Sequence, residues 1–383
     1  MEPDDLFYTC VYCWFRKLAK LGGLDIFVDD FKVSLLGYSL ISSLYALFLS
    51  CVWTIYAYPF DEKLICSTFL AFGCQGVVKF HVFLKNHKEV KAMCDFNLKV
   101  YRSNKESSHN KTLLTTAVNI IVFIFKGGIS FLIATAILTV LKPSITYLLI
   151  GIVEPVIPTY IPMLNENEFS GYVALAAFHT YLLFVFVIGT AAIDFGLMVF
   201  VLQSYTLSAI FRNAVDNFNS LVGKNEQDAN TIEVRASLRN LILMHMDFVN
   251  FTKTLKLTYH EICLVEITMA NAIMIVLLYV ILILDWFPAY FFMATAFFQV
   301  FEYSLLGTII EIANDKMYKA VCDITLVYLP VAEQRKVNFM ILKVQKPHLL
   351  TIGGFESLNV ETFVAALKRT YSVGMILINS KVQ

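Results

Sequence analysis

The sequence predicts an all-α membrane protein: seven transmembrane helices, N-terminus cytoplasmic, C-terminus extracellular, with helices extending into a cytoplasmic anchor bundle. Three observations predict it. Of 383 residues, 58% are hydrophobic and only 16% are charged, where soluble domains carry about 25% charged residues. The apolar residues fall in seven segments. Lys and Arg crowd into every second connection between those segments.

Residues 1–32 form a cytoplasmic N-terminal arm. Its start, Met1 to Asp5, is acidic, and no basic-then-apolar signal peptide follows. The first apolar segment therefore acts as its own insertion signal. Residues 33–202 hold helices one to four. A helix needs about 20 apolar residues to cross a bilayer. Val33 to Phe60 is free of charge, Leu64 to Leu84 is broken only by Lys79, and Leu113 to Leu141 only by Lys126. Phe169 to Leu202 is broken only by Asp194. Residues 203–355 hold helices five and six and the anchor region. Ile267 to Leu284 is uninterrupted, and Trp286 to Ile310 is broken only by Glu302. Residues 356–383 hold the seventh helix. Thr362 to Ser380 is the weakest candidate, because Lys368 and Arg369 lie inside it.

Orientation follows from the bias of Lys and Arg toward the cytoplasmic side. The arm and the second, fourth and sixth connections carry 23 of the 30 basic residues, Lys32 and Lys105 among them. The other side carries 3, namely Lys63, Lys142 and Lys381. Both glycosylation-spaced sequons, at Asn110 and Asn250, then fall on the cytoplasmic side and are expected to stay unused. This direction is opposite to that of a G-protein-coupled receptor, and neither an Asp-Arg-Tyr nor an Asn-Pro-x-x-Tyr motif occurs. A transporter or a receptor of unusual topology stays as the alternative class.

Residues 142–171 form the one long outer connection, with Pro143, Pro155, Pro158 and Pro162 and the acids Glu154, Glu166 and Glu168. It is also apolar, through Tyr147 to Ile150, Ile157 and Tyr160. Packed over the helix ends, it serves as an extracellular lid or as a structural cap. Asn230 to His260 repeats apolar residues at helical spacing and extends the fifth helix into the cytoplasm. Of the eight cysteines, only Cys66 lies near the outer surface, so no extracellular pair is expected. Cys10 and Cys13 make a lone CxxC, too little for a metal or redox centre. His260-Glu261 begins an HExxH that fails at Leu264, and no phosphate loop or nucleophile elbow occurs. The sequence thus points away from an enzyme and calls for no cofactor and no metal. A net charge of zero gives no sign of a nucleic-acid partner.

Through Phe298 to Gly307, Tyr328-Leu329-Pro330 with Arg335-Lys336, and Gln345 to Ser372, the C-terminal third resembles the insect odorant receptor family. Phe298-Gln299-Val300-Phe301-Glu302-Tyr303-Ser304-Leu305-Leu306-Gly307 resembles the family's sixth-helix pattern. Tyr328-Leu329-Pro330 with Arg335-Lys336 resembles the next turn, without the Trp common there. Gln345-Lys346-Pro347, Gly353-Gly354-Phe355, Leu358, Glu361-Thr362-Phe363 and Leu367 to Ser372 match the closing signature. Asp194 and His245 are weaker echoes. Gustatory receptors end Thr-Tyr, five apolar residues, Gln-Phe; here Leu377 and Ile378 stand at those last positions. The fourth connection lacks the large insertion of the odorant co-receptor.

The resemblance implies a ligand-tuned subunit of a non-selective cation channel. Four subunits would surround one pore in a heterotetramer with the co-receptor, in the plasma membrane of an olfactory dendrite. It also implies a pore lined by the last helix and an odorant bound in the outer half of helices two to six. Along the last helix, Ser372, Ile376 and Asn379 share a face. Ile376 is the candidate constriction and Asn379 the polar ring outside it; ordinary helix packing is the competing reading. Lys368 and Arg369 are expected to turn away or to sit at a subunit boundary. Candidate ligand contacts are Ile65, Thr68, Phe69 and Phe72 on the second helix and Gly128, Phe131, Thr135 and Leu138 on the third. Tyr172, Phe178, His179 and Leu182 on the fourth, Tyr279 on the fifth and Tyr290 on the sixth complete the set. Such an aromatic lining suits a small neutral lipophilic volatile. His179 either donates to ligand or is a satisfied interhelical histidine. Lys79, Lys126, Asp194 and Glu302, costly in a membrane, are structural pairs or groups at the wet base of the helices, or else act in permeation.

Overall fold

A computed structural model describes residues 2–27, 33–104, 107–151, 155–161, 164, 168–224, 232–284 and 286–382. For Lys224, Ile378 and residues 380–382 it describes the backbone alone. Lys32, Lys105, Glu154, Pro162, Glu166 and Asn230, named above, lie outside the described residues.

The chain begins with α1 (Pro3–Phe7), a π turn (Tyr8–Tyr12) and α2 (Cys13–Leu21). Then come α3 (Leu35–Ala57), α4 (Phe60–Lys85), α5 (His87–Ser103) and α6 (Ser108–Ile150). The long helices α7 (Phe169–Lys224), α8 (Ile232–Ile283) and α9 (Ala289–Cys322) follow, with α10 (Val331–Val344) after them. A hairpin of β1 (Thr351–Ile352) and β2 (Glu356–Ser357) leads into α11 (Val360–Val382). Helices α3, α4, α6, α7, α8 and α9 are each long and apolar enough to span a bilayer. At about 1.5 Å per residue, the 56 residues of α7 and the 52 of α8 far exceed a bilayer core and project beyond it.

That projection lies at the end where the basic connections cluster, called here the basic end. Phe211, Val215, Phe218 and Val222 of α7 meet Leu238, Leu241 and Phe248 of α8 there. Ala313, Met317 and Val321 of α9 and Val337 and Met340 of α10 close the cluster. Its apolar stripes recur at helical spacing, so each helix buries one face. His245 is buried in this bundle beside the Phe211 ring, and its Nε2 has no hydrogen-bond partner among the described residues. Burial there lowers its pKa to about 4.

Three expectations need correction. Residues 142–150 are helix rather than loop: apolar spacing carries α6 through Pro143, and Gly151, at φ 74°, ends it as a left-handed cap. Leu148, Leu149 and Ile150 are exposed rather than packed down, while Val156, Ile157 and Tyr160 are buried. The N-terminal arm is packed into the core. Phe15 is buried within reach of Phe27, Phe83, Phe195 and Phe200. Cys66 is not isolated: its thiol donates to the Cys51 carbonyl at 3.7 Å, and both cysteines are free.

The closing signature has a backbone explanation. Phe355 N donates to Ile352 O across a turn whose central residues, Gly353 and Gly354, have φ of 60° and 87°. Side chains other than glycine rarely adopt that pair. At Gly307, an added Cβ would run into the Leu358 backbone, so only glycine lets α9 approach the segment before α11. Asn110 is buried and hydrogen-bonded to Asn104 and Asn213, in keeping with an unused sequon.

Candidate functional site: an apolar chamber above a buried ion cluster

A cavity of about 110 Å³ lies between the helices, toward the end opposite the basic one. Its walls come from α3 (Leu40, Leu44, Leu47), α4 (Phe69, Phe72, Gly73, Gly76, Phe80) and α6 (Leu132, Thr135, Ala136). The remainder comes from α7 (Leu182, Phe186, Gly189, Thr190), α9 (Phe292, Thr295, Phe298, Gln299, Glu302) and Ile157 of the 142–171 connection. The rings form a connected set. Phe292 meets Phe69 edge-on at 5.0 Å and Phe72 at 6.0 Å, and Phe72 meets Phe186 at 6.1 Å. Glycines keep the space open. A Cβ on Gly76 would come within 3.0 Å of the Phe186 ring, and one on Gly73 within 3.3 Å of Leu47.

The connection is pinned where it covers the chamber. His179 is fully buried, and its Nδ1 accepts from Ile157 N at 3.4 Å. The ring proton therefore sits on Nε2, which donates to Thr159 Oγ1 at 3.0 Å. Tyr160 N donates to Thr54 Oγ1 at 3.0 Å, and the Tyr160 ring stacks on Tyr58 at 3.9 Å. His179 is thus the clamp of the covering segment.

Below the chamber lies an ion cluster. Lys79 Nζ is 2.9 Å from Asp194 Oδ1 and 2.9 Å from Glu266 Oε2, and Lys79 and Glu266 are almost wholly buried. Tyr303 donates its hydroxyl to Asp194 at 2.5 Å. An ammonium in a membrane interior needs such partners. The cluster ties α4, α7, α8 and α9 together. Lys126 stands apart, over the Trp14 ring at 5.5 Å.

Of the candidate ligand contacts, the structure brings Phe69, Phe72, Thr135 and Leu182 to the chamber wall. Gly128 and Phe131 stand one layer behind, against Phe298. Ile65, Thr68, Tyr172, Phe178, His179 and Tyr279 lie off the wall, all but the half-buried Phe178 fully buried. Leu138 and Tyr290 are exposed on the outside of the bundle. The first span, α3, takes the place the reading gave to the fifth. Leu40, Leu44, Leu47, Phe186, Phe292 and Gln299 were missed. A face of α4 at i, i+3, i+4, i+7 and i+11 (Phe69, Phe72, Gly73, Gly76, Phe80) carries the signal, and Gly73, Gly76 and Phe80 continue it beyond the residues read as contacts.

On α11, Ser372, Ile376 and Asn379 are all exposed, with Ile376 at 67%. The opposite face is packed: a Cβ on Gly374 would meet Leu278 at 2.5 Å, and Thr370 faces Asn271 at 3.4 Å. Lys368 does not turn away. It is exposed and lies about 40° from Ser372 around the helix, on the same face.

A multi-pass helical membrane protein with an apolar chamber among its helices has the build of a receptor. A sequence model of the family described as 7tm Odorant receptor matches residues 63–371. The chain belongs to that family, a receptor family rather than an enzyme class. An odorant receptor of Drosophila melanogaster, 83c, is 23% identical over 319 residues, 79% of each chain. The olfactory receptor OR5 of Machilis hrabei, solved in complex with eugenol, superposes with a TM-score of 0.78 at 10% identity, covering 98% of this chain and 100% of that one. The same receptor solved without mention of eugenol gives 0.74 at 11% identity, over 97% and 99%. At such identity these two establish the shared fold.

Proposed function

We propose that this chain is a ligand-tuned odorant receptor subunit of a ligand-gated, non-selective cation channel, working in a heterotetramer with the odorant co-receptor. The carrying observation is the apolar chamber beneath the segment clamped by His179. Its size suits a small volatile: an apolar cavity of about 150 Å³ holds one benzene ring. That a receptor of this fold was solved with eugenol supports the same ligand class. The basic-residue count supports a cytoplasmic N-terminus and an extracellular C-terminus in a plasma membrane, that of an olfactory dendrite.

The exposed stripe of α11 is the pore face, with Ile376 as constriction and Asn379 as the polar ring. Its exposure in a single subunit supports this, because a pore-lining face needs neighbours around an axis rather than lipid. Expressed with the co-receptor and exposed to volatile panels, the chain is expected to give fast cation current that survives removal of cytoplasmic nucleotides. Current that requires GTP would contradict the channel reading. Ile376→Ala is expected to raise leak or alter ion selectivity; unchanged leak, gating and selectivity in the mixed channel would remove α11 from the pore.

A further inference from the structure

The chamber's hydroxyls are one-sided in their hydrogen-bonding capacity. Four hydroxyls line it, on Ser43, Thr135, Thr190 and Thr295. Each donates its proton to a carbonyl of its own helix, at Leu40, Phe131, Phe186 and Phe291 respectively. They therefore offer the chamber lone pairs alone.

The floor goes further in the same direction. Asp194 and Glu302 both face the chamber. The one ammonium beside them among the described residues is Lys79, and it is held between Asp194 and Glu266 at 2.9 Å from each. Glu302 has no hydrogen bond and no ion pair among the described residues, so its carboxyl is left to the cavity. One turn away on α9, Gln299 is 9% exposed and lines the same chamber, and its Oε1 has no hydrogen-bond partner. Three carboxyl groups thus share one ammonium in a site walled by phenylalanine. A buried acceptor without a donor is costly, and a charge-assisted hydrogen bond is worth more than a neutral one.

We propose that the chamber takes a small lipophilic amine, bound as its ammonium. Its apolar body lies among Phe69, Phe72 and Phe292, and its N–H groups donate to Glu302 and, once the Gln299 amide rotates to present it, to Gln299 Oε1. A second ammonium brings the cluster to three carboxyl groups and two cations. This rests on the chamber being the ligand site, and it narrows the neutral volatile of the sequence reading to a cationic head. With a cavity smaller than the roughly 150 Å³ that holds benzene, the body is one small ring or a short chain.

The test uses matched pairs of equal shape that fit such a cavity: cyclobutylamine against cyclobutanol, and isobutylamine against isobutanol. Each is applied to cells expressing the chain with the co-receptor, with both subunits quantified at the surface. The amines are expected to be roughly ten-fold more potent than the alcohols, the scale of one charge-assisted hydrogen bond. Glu302→Gln keeps the side-chain size and is expected to bring the two to within about two-fold, by weakening the amines far more than the alcohols. Should Glu302→Gln fail to reach the surface, Gln299→Leu gives the same readout. An amine preference that survives in the variant that reaches the surface overturns the assignment of the head to this floor. Alcohols as potent as amines in the unaltered channel overturn the amine assignment and leave the channel reading standing. No current from either set, with both subunits at the surface, overturns both.

Discussion

The same helices build two different interiors. At the basic end, α7, α8 and α9 interlock Phe211, Phe218, Leu241, Phe248 and Met317, each nearly free of solvent contact. Toward the other end, α7 and α9 part around a cavity, with Gly73, Gly76 and Gly189 facing it from α4 and α7. The Lys79–Asp194–Glu266 cluster sits between the two. The comparison shows how one frame supplies both a rigid base and an open site. Filling is achieved with large apolar residues at helical spacing, and opening with glycine and with hydroxyls that satisfy themselves on their own backbone. The ion cluster fixes the helices where the two regimes meet.

The largest effect is expected from that junction. Asp194→Ala leaves Lys79 with one carboxyl partner fewer and strips Tyr303 of its acceptor. Removing one member of a buried pair costs about 3–5 kcal/mol. Thermal unfolding of the purified protein is expected to fall accordingly; a melting temperature within error of the parent would deny the cluster its joining role.

The two interiors are then set against each other by matched truncations. Leu241→Ala in the packed bundle is expected to cost about 2–5 kcal/mol, since the surroundings cannot collapse. Leu182→Ala, on a wall that already borders empty space, is expected to fall at or below the bottom of that range. Equal losses would mean that the chamber end is packed as tightly as the base.

A smaller effect sharpens the basic end alone. His245 is buried with its pKa lowered to about 4 from 6.5. The unfolded chain therefore binds the proton first. Stability contributed by the neutral ring is present above pH 6.5 and is lost as pH falls toward 4, by about 1.4 kcal/mol per pH unit. His245→Phe is expected to flatten that slope, as followed by unfolding at pH 7 and pH 5.

Much of the frame was legible from the residues. Long charge-poor runs located α3, α4, α6, α7, α8 and α9, and helical spacing from Leu238 to Phe251 carried α8 beyond the membrane. The family's Gly353-Gly354 marked a turn whose positive φ values only glycine meets comfortably. The site was less legible, because in a membrane protein an apolar residue has three destinations: lipid, core or chamber. Leu40 and Leu44 on the chamber wall look in sequence like Leu36 and Tyr45, which are exposed. Leu138 and Tyr290, read as chamber residues, lie exposed on the outside of the bundle. His179 was read as a donor to ligand or a satisfied interhelical histidine, but its partners, Ile157 and Thr159, lie about twenty residues away in an irregular segment with no periodicity to read. The helix at residues 142–150 was hidden by Pro143, a residue that usually ends helices.

The central claim is that a ligand acts from the chamber between α3, α4, α6, α7 and α9. Gly76→Leu tests it most directly. A Cβ added there would lie 3.0 Å from Phe186, and Gly76 lines the chamber, so the added side chain must occupy the cavity. Ligand-evoked current from the chain expressed with the co-receptor is expected to disappear, while surface abundance and co-assembly stay at the parent level. An unchanged concentration–response curve with the chamber so filled would contradict the account.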